Sequence, residues 1–274
     1  MFDYYKLERF VLFQEKNGVE VGSIGKSEWG KEIYFLHVGK RVGKQIIITG
    51  AIHAREIISA QLCCCLSVKH EQCKNCGVYF IPMLNPDGNL LVCDKAKNEK
   101  GYTRAVEING GSEDFSLWKS NGQGVDLNVN FPARFACGKS NVFQPAPCSY
   151  VGVRPLCASE SMALYKFTKK VNPVATLSYH SKGREIYWDF NQRKNRSRDE
   201  KIAKALAKES GYRLVYGDLG SAGGYKDWCI SALKIPSYTI EIGNDKYLHP
   251  LQSWCIIEEW NANKRIPSVL VEHI

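Results

Sequence analysis

Gln45-Ile46-Ile47-Ile48-Thr49-Gly50-Ala51-Ile52-His53-Ala54-Arg55-Glu56 is the stretch on which the fold turns. Its first five residues form a nearly continuous apolar run, the pattern of a strand buried on both faces. Gly50 ends that run, and a helix is expected over about 56–68. Strand, glycine and helix in this order form the repeating unit of an α/β fold. His53 and Glu56 lie three apart in the connection, which puts an imidazole and a carboxylate on one side of a helical turn. Zinc accepts both donor types. Alone, the pair also suits a surface turn with an acidic group at a helix N-terminus.

The alternation recurs on either side. Leu7, Phe10 and Val11 stand at helical spacing within residues 3 to about 15, and Gly18 follows as a stop. Residues 33–38 and 77–84 read as strands, the latter ending at the turn Asn85-Pro86-Asp87-Gly88. Residues 95–150 are rich in Gly, Asn, Ser and Pro with scattered aromatics, the composition of long functional loops inside a compact domain. Further on, helices are expected at 159–171, 198–209, 225–232 and 248–261. On 198–209, Ile202, Leu206 and Ala205 should face inward. Strands are expected at 174–179 and 236–242. The chain thus reads as one α/β domain over 1–274, with an N-terminal helix inside 1–20 and a core over about 23–262. In such sheets ligands lie beyond the carboxyl ends of the strands.

Two of those strand ends carry chemistry. Ser178-Tyr179-His180-Ser181 closes an apolar strand with a histidine, which elsewhere would read as a core or turn residue. With His53 and Glu56 it completes two imidazoles and a carboxylate, a set that leaves one zinc position open for water. Tyr238-Thr239-Ile240-Glu241-Ile242-Gly243 places a carboxylate inside an apolar, β-branched strand. A carboxylate there is costly unless it is solvated, paired or beside a metal. It reads either as the solvent face of an alternating strand or as a general base.

Composition narrows the classes. The formal net charge is +9, from 37 Lys and Arg against 28 Asp and Glu. That balance favours anionic partners. The densest patch, Arg193-Lys194-Asn195-Arg196-Ser197-Arg198, runs straight into Asp199 and Glu200, as a solvated helix entry does. Nucleic acid is therefore not expected as a partner. No window approaches a membrane span. The 11 cysteines include the run Cys63-Cys64-Cys65, a poor disulfide framework, and Cys73-Lys74-Asn75-Cys76 lacks a second pair at metal-binding spacing. Cys63 to Cys65 are expected to pack as small apolar residues. His37, His70, His249 and His273 show no partner pattern. No secretion signal is legible, and a reducing, cytoplasmic setting is expected.

Together these segments resemble the zinc carboxypeptidase family. Ile52-His53-Ala54-Arg55-Glu56 is similar to its ligand motif, Asn85-Pro86-Asp87-Gly88 to its turn and Gly124-Val125-Asp126-Leu127-Asn128 to its central segment. His180, Asp227-Trp228 and Glu241 follow at the family's spacing. The resemblance implies a mixed, mainly eight-stranded sheet flanked by helices. It also implies one Zn2+ ion on His53, Glu56 and His180, with Glu241 as general base. Lys119 then stands near the family's oxyanion-stabilising cation, and Arg55, Asn128, Tyr225 and Thr239 become substrate-contacting residues. Tyr216 is a possible counterpart of the family's capping tyrosine.

One departure bears on the substrate. Typical members follow Asp-Leu with Asn-Arg, the arginine gripping a terminal carboxylate; here the pair is Asn128-Val129, and valine donates no hydrogen bond. Residues 125–131, 179–188 and 223–228 are similar to the bacterial branch that cuts the γ-D-glutamyl–diaminopimelate bond of wall stem peptides. A peptidoglycan-derived peptide is the substrate this implies, and Lys226 would face the acidic end of the diaminopimelate side chain. The alternatives are a conventional carboxypeptidase anchoring the carboxylate on Arg134 or Arg184, a small-molecule deacylase, and a catalytically inactive binding protein.

Overall fold

The computed structural model describes residues 1–68, 76–192, 194–217 and 220–274. Eight strands among them form one sheet in the order β1-β2-β4-β3-β5-β8-β6-β7. They are β1 (Glu20–Lys26), β2 (Glu32–Gly39), β3 (Gln45–Thr49), β4 (Gly77–Ile81), β5 (Ala175–Ser181), β6 (Glu185–Tyr187), β7 (Arg213–Val215) and β8 (Ser237–Ile242). The four central strands, β4, β3, β5 and β8, run parallel; β1 on β2, β2 on β4 and β6 on β8 are antiparallel. The expected mixed, eight-stranded α/β architecture is thus present.

The apolar run of β3 lies in the middle of that sheet. Ile46, Ile47 and Ile48 are completely buried. Alternation sends Ile46 and Ile48 into one core and Ile47 into another on the opposite face. The first core packs helix α2 (Ile57–Ser67) with α6 (Arg196–Ser210), α8 (Ile256–Asn263) and α9 (Ile266–His273), through Leu62, Leu66, Leu206 and Leu270. Cys63 belongs to it as a small apolar residue. The second core holds α5 (Ser159–Val171) and the short α7 (Tyr225–Trp228), through Leu164, Tyr225 and Trp228. A third joins α1 (Tyr4–Lys16), α3 (Pro86–Val92) and α4 (Tyr102–Ile108), through Leu7, Val11, Leu90 and Ala105.

Several expected boundaries shift for local reasons. Asn85-Pro86-Asp87-Gly88 opens α3 instead of making a turn. Asn85 caps it by accepting from the Gly88 N–H at 2.9 Å, and Pro86 takes the first turn, where its missing N–H has no consequence. The irregular 95–150 region contains α4. Residues 248–261 are not one helix: Pro250 supplies no N–H to continue one, and α8 begins at Ile256, with α9 following. On α6 the buried apolar residues are Ile202, Ala203 and Leu206, with Ala205 only partly buried. His70, Cys73 and Arg193 lie outside the described residues.

A chain of buried polar groups fixes the loop that runs beneath the future site. Asn85 Nδ2 donates to the Ser120 carbonyl at 3.0 Å. Asp87 accepts from Ser27 Oγ at 2.5 Å and from the Trp29 N–H at 2.9 Å. Asn121 donates to Glu160 at 2.9 Å and accepts from the Gln123 and Val125 N–H groups, both at 3.0 Å. Burial pushes both Glu160 and Asp87 up, helped at Glu160 by the negative charge of Asp87 and at Asp87 by Glu28 and Glu99. The folded state therefore keeps protons that the unfolded chain releases. For Glu160 the stabilisation is full below its ordinary value of 4.5 and is lost as pH rises through about 8. Glu160→Gln is expected to flatten that loss. In thermal melts, the variant should gain on the parent between about pH 5 and pH 9, and an offset equal at both ends would contradict this.

Candidate metal centre and substrate cavity

Three neighbouring parallel strands, β3, β5 and β8, end on the same edge of the sheet. The chain leaves β3 through Gly50, where a Cβ would lie 2.8 Å from two carbonyl oxygens and 2.9 Å from Cys63 Sγ, so only glycine fits. Ala51 then adopts φ 42° while its N–H donates to Ser59 Oγ at 2.8 Å. This sharp exit turns His53 and Glu56 back over the end of β5. In register, His180 on β5 sits beside Glu241 on β8.

His53 Nδ1 lies 2.8 Å from Glu56 Oε1 and 3.2 Å from His180 Nδ1. His180 Nδ1 lies 2.9 Å from the other Glu56 oxygen. One donor atom from each of the three residues falls within 4.8 Å of the others. Exposure is 5% for His53, 2% for Glu56 and nil for His180. Two imidazole nitrogens converging on a buried carboxylate can share a cation. Two nitrogens and one carboxylate suit zinc and leave a coordination position free. His53 Nε2 donates to Asp126 Oδ1 at 3.2 Å, which turns Nδ1 toward the ligand set.

The charges agree with that reading. Burial works to lower His53, but the Glu56 and Asp126 carboxylates outweigh it and hold the ring up to about 9. Asp126 and Glu56 are buried, yet the adjacent imidazoles keep both below the usual carboxylate range. Burial lowers His180. Glu241 moves the other way, raised by burial and by the negative charge of Glu56. A carboxyl poised upward beside a metal site is suited to take and return a proton.

A cavity of about 410 Å³ opens over these groups. His53, Glu241, Lys119, Asn128, Thr239 and Lys226 all line it. Lys119 is close enough to act electrostatically on His53 and Glu241. Tyr225 is a correction to the sequence reading. Its side chain is completely buried, with its hydroxyl 2.8 Å from Thr168 Oγ1 and its ring packed on Phe131 and Trp228. Phe131, Leu164 and Trp228 share its core and account for its burial. Arg55 is outside the cavity lining, with Nη1 donating to the Leu117 carbonyl at 3.3 Å. Tyr216 is half exposed and stands edge-on to Trp188 at 5.5 Å. Arg184 is committed to Glu258 and Glu259 at 2.6 and 2.9 Å, whereas Arg134 lines the cavity. Sequence reasoning gives no role to Asp126, Tyr187 or Asp189, and it takes Arg196 for a solvated helix entry, whereas Arg196 pairs with Asp189 in the cavity lining. Asp126 lies inside the central family-like segment without a distinguishing signal; the others reach the cavity only through the pairing of β6 with β8 and the loop after it.

Comparison with known proteins gives the following likenesses. A family profile described as zinc carboxypeptidase matches residues 9–266. A γ-D-glutamyl-L-diamino acid endopeptidase of Lysinibacillus sphaericus is 35% identical over 167 residues, 60% of this chain and 42% of the relative. The chain thus spans less than half of that relative's length. Among solved structures, bovine thrombin-activatable fibrinolysis inhibitor, in complex with tick carboxypeptidase inhibitor, superposes with a TM-score of 0.79 at 22% identity, covering 98% of this chain and 96% of the other. A murein-tripeptide amidase of Escherichia coli O157 gives 0.60 at 19% identity, covering 92% and 91%. At those identities the two structures speak for the fold.

Two measurements check the site. Chelation should lower the melting temperature and added zinc should restore it, because a metal that binds only the folded state stabilises it; His180→Ala should abolish both responses. Tyr225→Phe removes only the hydroxyl held by Thr168, so it should cost about 1 kcal/mol of stability and leave substrate KM unchanged.

Proposed function

The chain belongs to the zinc carboxypeptidase family, its profile covering residues 9–266, and on that premise we propose that it is a metallopeptidase cutting the γ-D-glutamyl–diaminopimelate bond of peptidoglycan stem peptides. The observation that carries the reading is the cavity. It joins His53 and Glu241 to a wall that carries Lys119 and Arg134, with Lys226 and Arg196 paired to Asp227 and Asp189. A wall charged with both signs suits a peptide that carries charged groups of its own. Val129 in place of the family's carboxylate-gripping arginine weighs against an ordinary C-terminal exopeptidase. The name of the Lysinibacillus relative supports the same substrate class.

His53, Glu56 and His180 hold one zinc ion in this reading. When bound, zinc supplies Lewis acidity that activates water and polarises the scissile carbonyl. Glu241 accepts the water proton and delivers it to the departing amine of diaminopimelate. Lys119 faces the charge that develops on the carbonyl oxygen. Asp126 keeps the His53 ring oriented. Asn128 and Thr239, both in the cavity lining, contact the peptide.

We place the protein in the cytoplasm, acting on wall peptides during recycling or sporulation. The ten described cysteines carry no disulfide, which fits a reducing setting. No described helix is long and apolar enough to cross a membrane. A conventional carboxypeptidase remains the second reading, favoured by Arg134 in the cavity lining as a carboxylate anchor.

Incubation with L-Ala-γ-D-Glu-meso-diaminopimelate should release free diaminopimelate. Chelation should stop release, and Glu241→Gln should slow it by at least about a hundredfold. Release of ordinary C-terminal residues, with the wall peptide untouched, would overturn the substrate and favour the second reading.

A further inference from the structure

The cavity wall away from the ligand set is not simply basic. Lys226 Nζ donates to Asp227 Oδ1 at 2.6 Å and to the Asp189 carbonyl at 3.2 Å, and lies over the Phe190 ring at 5.5 Å. Arg196 pairs with Asp189 Oδ2 and stacks over Trp188 at 4.8 Å. All four charged residues line the cavity. The side chains of Lys226, Asp227 and Asp189 are only 12%, 8% and 13% exposed. This group carries two positive and two negative charges, and its sum is zero.

That balance selects against a plain anion. A carboxylate drawing Lys226 or Arg196 toward itself would leave a poorly solvated aspartate without its partner, which is costly. A plain cation drawing Asp227 toward itself would strand Lys226 in the same way, whereas Arg196, 45% exposed, keeps its contact with water. A ligand carrying both signs on one carbon centre can add its ammonium at Asp189 and its carboxylate at Lys226 while the existing pairs stay closed. The two aspartates are not equivalent. Asp227 Oδ2 already accepts from the Gly224 N–H at 3.1 Å, and its Oδ1 holds Lys226. Asp189 uses Oδ2 for Arg196, which leaves Oδ1 for a ligand.

We propose that this paired-charge wall is a zwitterion site. Asp189 receives the ammonium, and Lys226 the carboxylate, of a free α-amino acid group at the end of the substrate side chain. This rests on the wall-peptide reading and refines the part given to Lys226, which then recognises half of the group. The distal end of diaminopimelate has this chemistry. Lysine offers the ammonium alone and 2-aminopimelate the carboxylate alone.

The test compares kcat/KM for L-Ala-γ-D-Glu peptides ending in meso-diaminopimelate, L-lysine or L-2-aminopimelate. The native enzyme should favour diaminopimelate over each analogue by at least about tenfold, because a site built for a polar group rejects a ligand lacking it. Asp189→Asn should collapse the preference over 2-aminopimelate and keep the preference over lysine. Lys226→Met should do the reverse. Each ratio is internal to one preparation, so partial misfolding of a variant cancels, and if a variant is inactive the native ratios decide alone. Equal native cleavage of diaminopimelate and 2-aminopimelate, or an unmoved ratio in Asp189→Asn, would overturn the zwitterion site while leaving the wall-peptide function intact. Release from none of the three peptides would overturn that function and the site with it.

Discussion

A carboxylate buried between two imidazoles is the constraint on which the structure depends. Glu56 is 2% exposed, and its oxygens stand 2.8 and 2.9 Å from the Nδ1 atoms of His53 and His180. Such a charge is not tolerated inside a protein without a cation. Much of the surrounding geometry serves to deliver it. The parallel registry of β3, β5 and β8 brings the ligands to one sheet edge. Gly50 permits the sharp exit from β3, and Asp126 turns the His53 ring. The polar chain from Asn85 through Ser120 and Asn121 to Glu160 holds the loop that carries both Lys119 and Asp126.

Much of this is legible in the amino-acid sequence. The triple isoleucine of β3 announces a strand buried on both faces, and α5 runs over the residues that apolar spacing indicates. The ligand set can be read because its members close apolar strands, where polar residues are conspicuous. Other parts are hidden for identifiable reasons. β1, with two glycines and only partial burial, and the three-residue β6 and β7 lack enough periodic sequence to register. Tyr225 reads as a substrate residue because it adjoins Lys226 and Asp227. The helical turn instead points neighbouring side chains in different directions and sends Tyr225 into the core. Asp189 and Arg196 are distant from Lys226 in sequence and meet it only through the loop after β6.

The cavity couples two kinds of electrostatics. At the ligand set, the Glu56 and Asp126 carboxylates hold the His53 ring up, and Glu241 is pushed toward its protonated form by burial and by Glu56. At the far wall, charges are paired and sum to zero. The first arrangement suits bond cleavage, which moves protons and develops charge. The second suits discrimination, because a ligand of one sign alone would leave a poorly exposed partner of the other sign without its counter-charge.

Anomalous diffraction at the zinc edge, from crystals of the protein grown with zinc, tests the central claim most directly. The account predicts one strong peak bonded to His53 Nδ1, His180 Nδ1 and the Glu56 carboxylate, with the remaining position open toward Glu241. A peak elsewhere, or a fourth protein ligand closing that position, would contradict it.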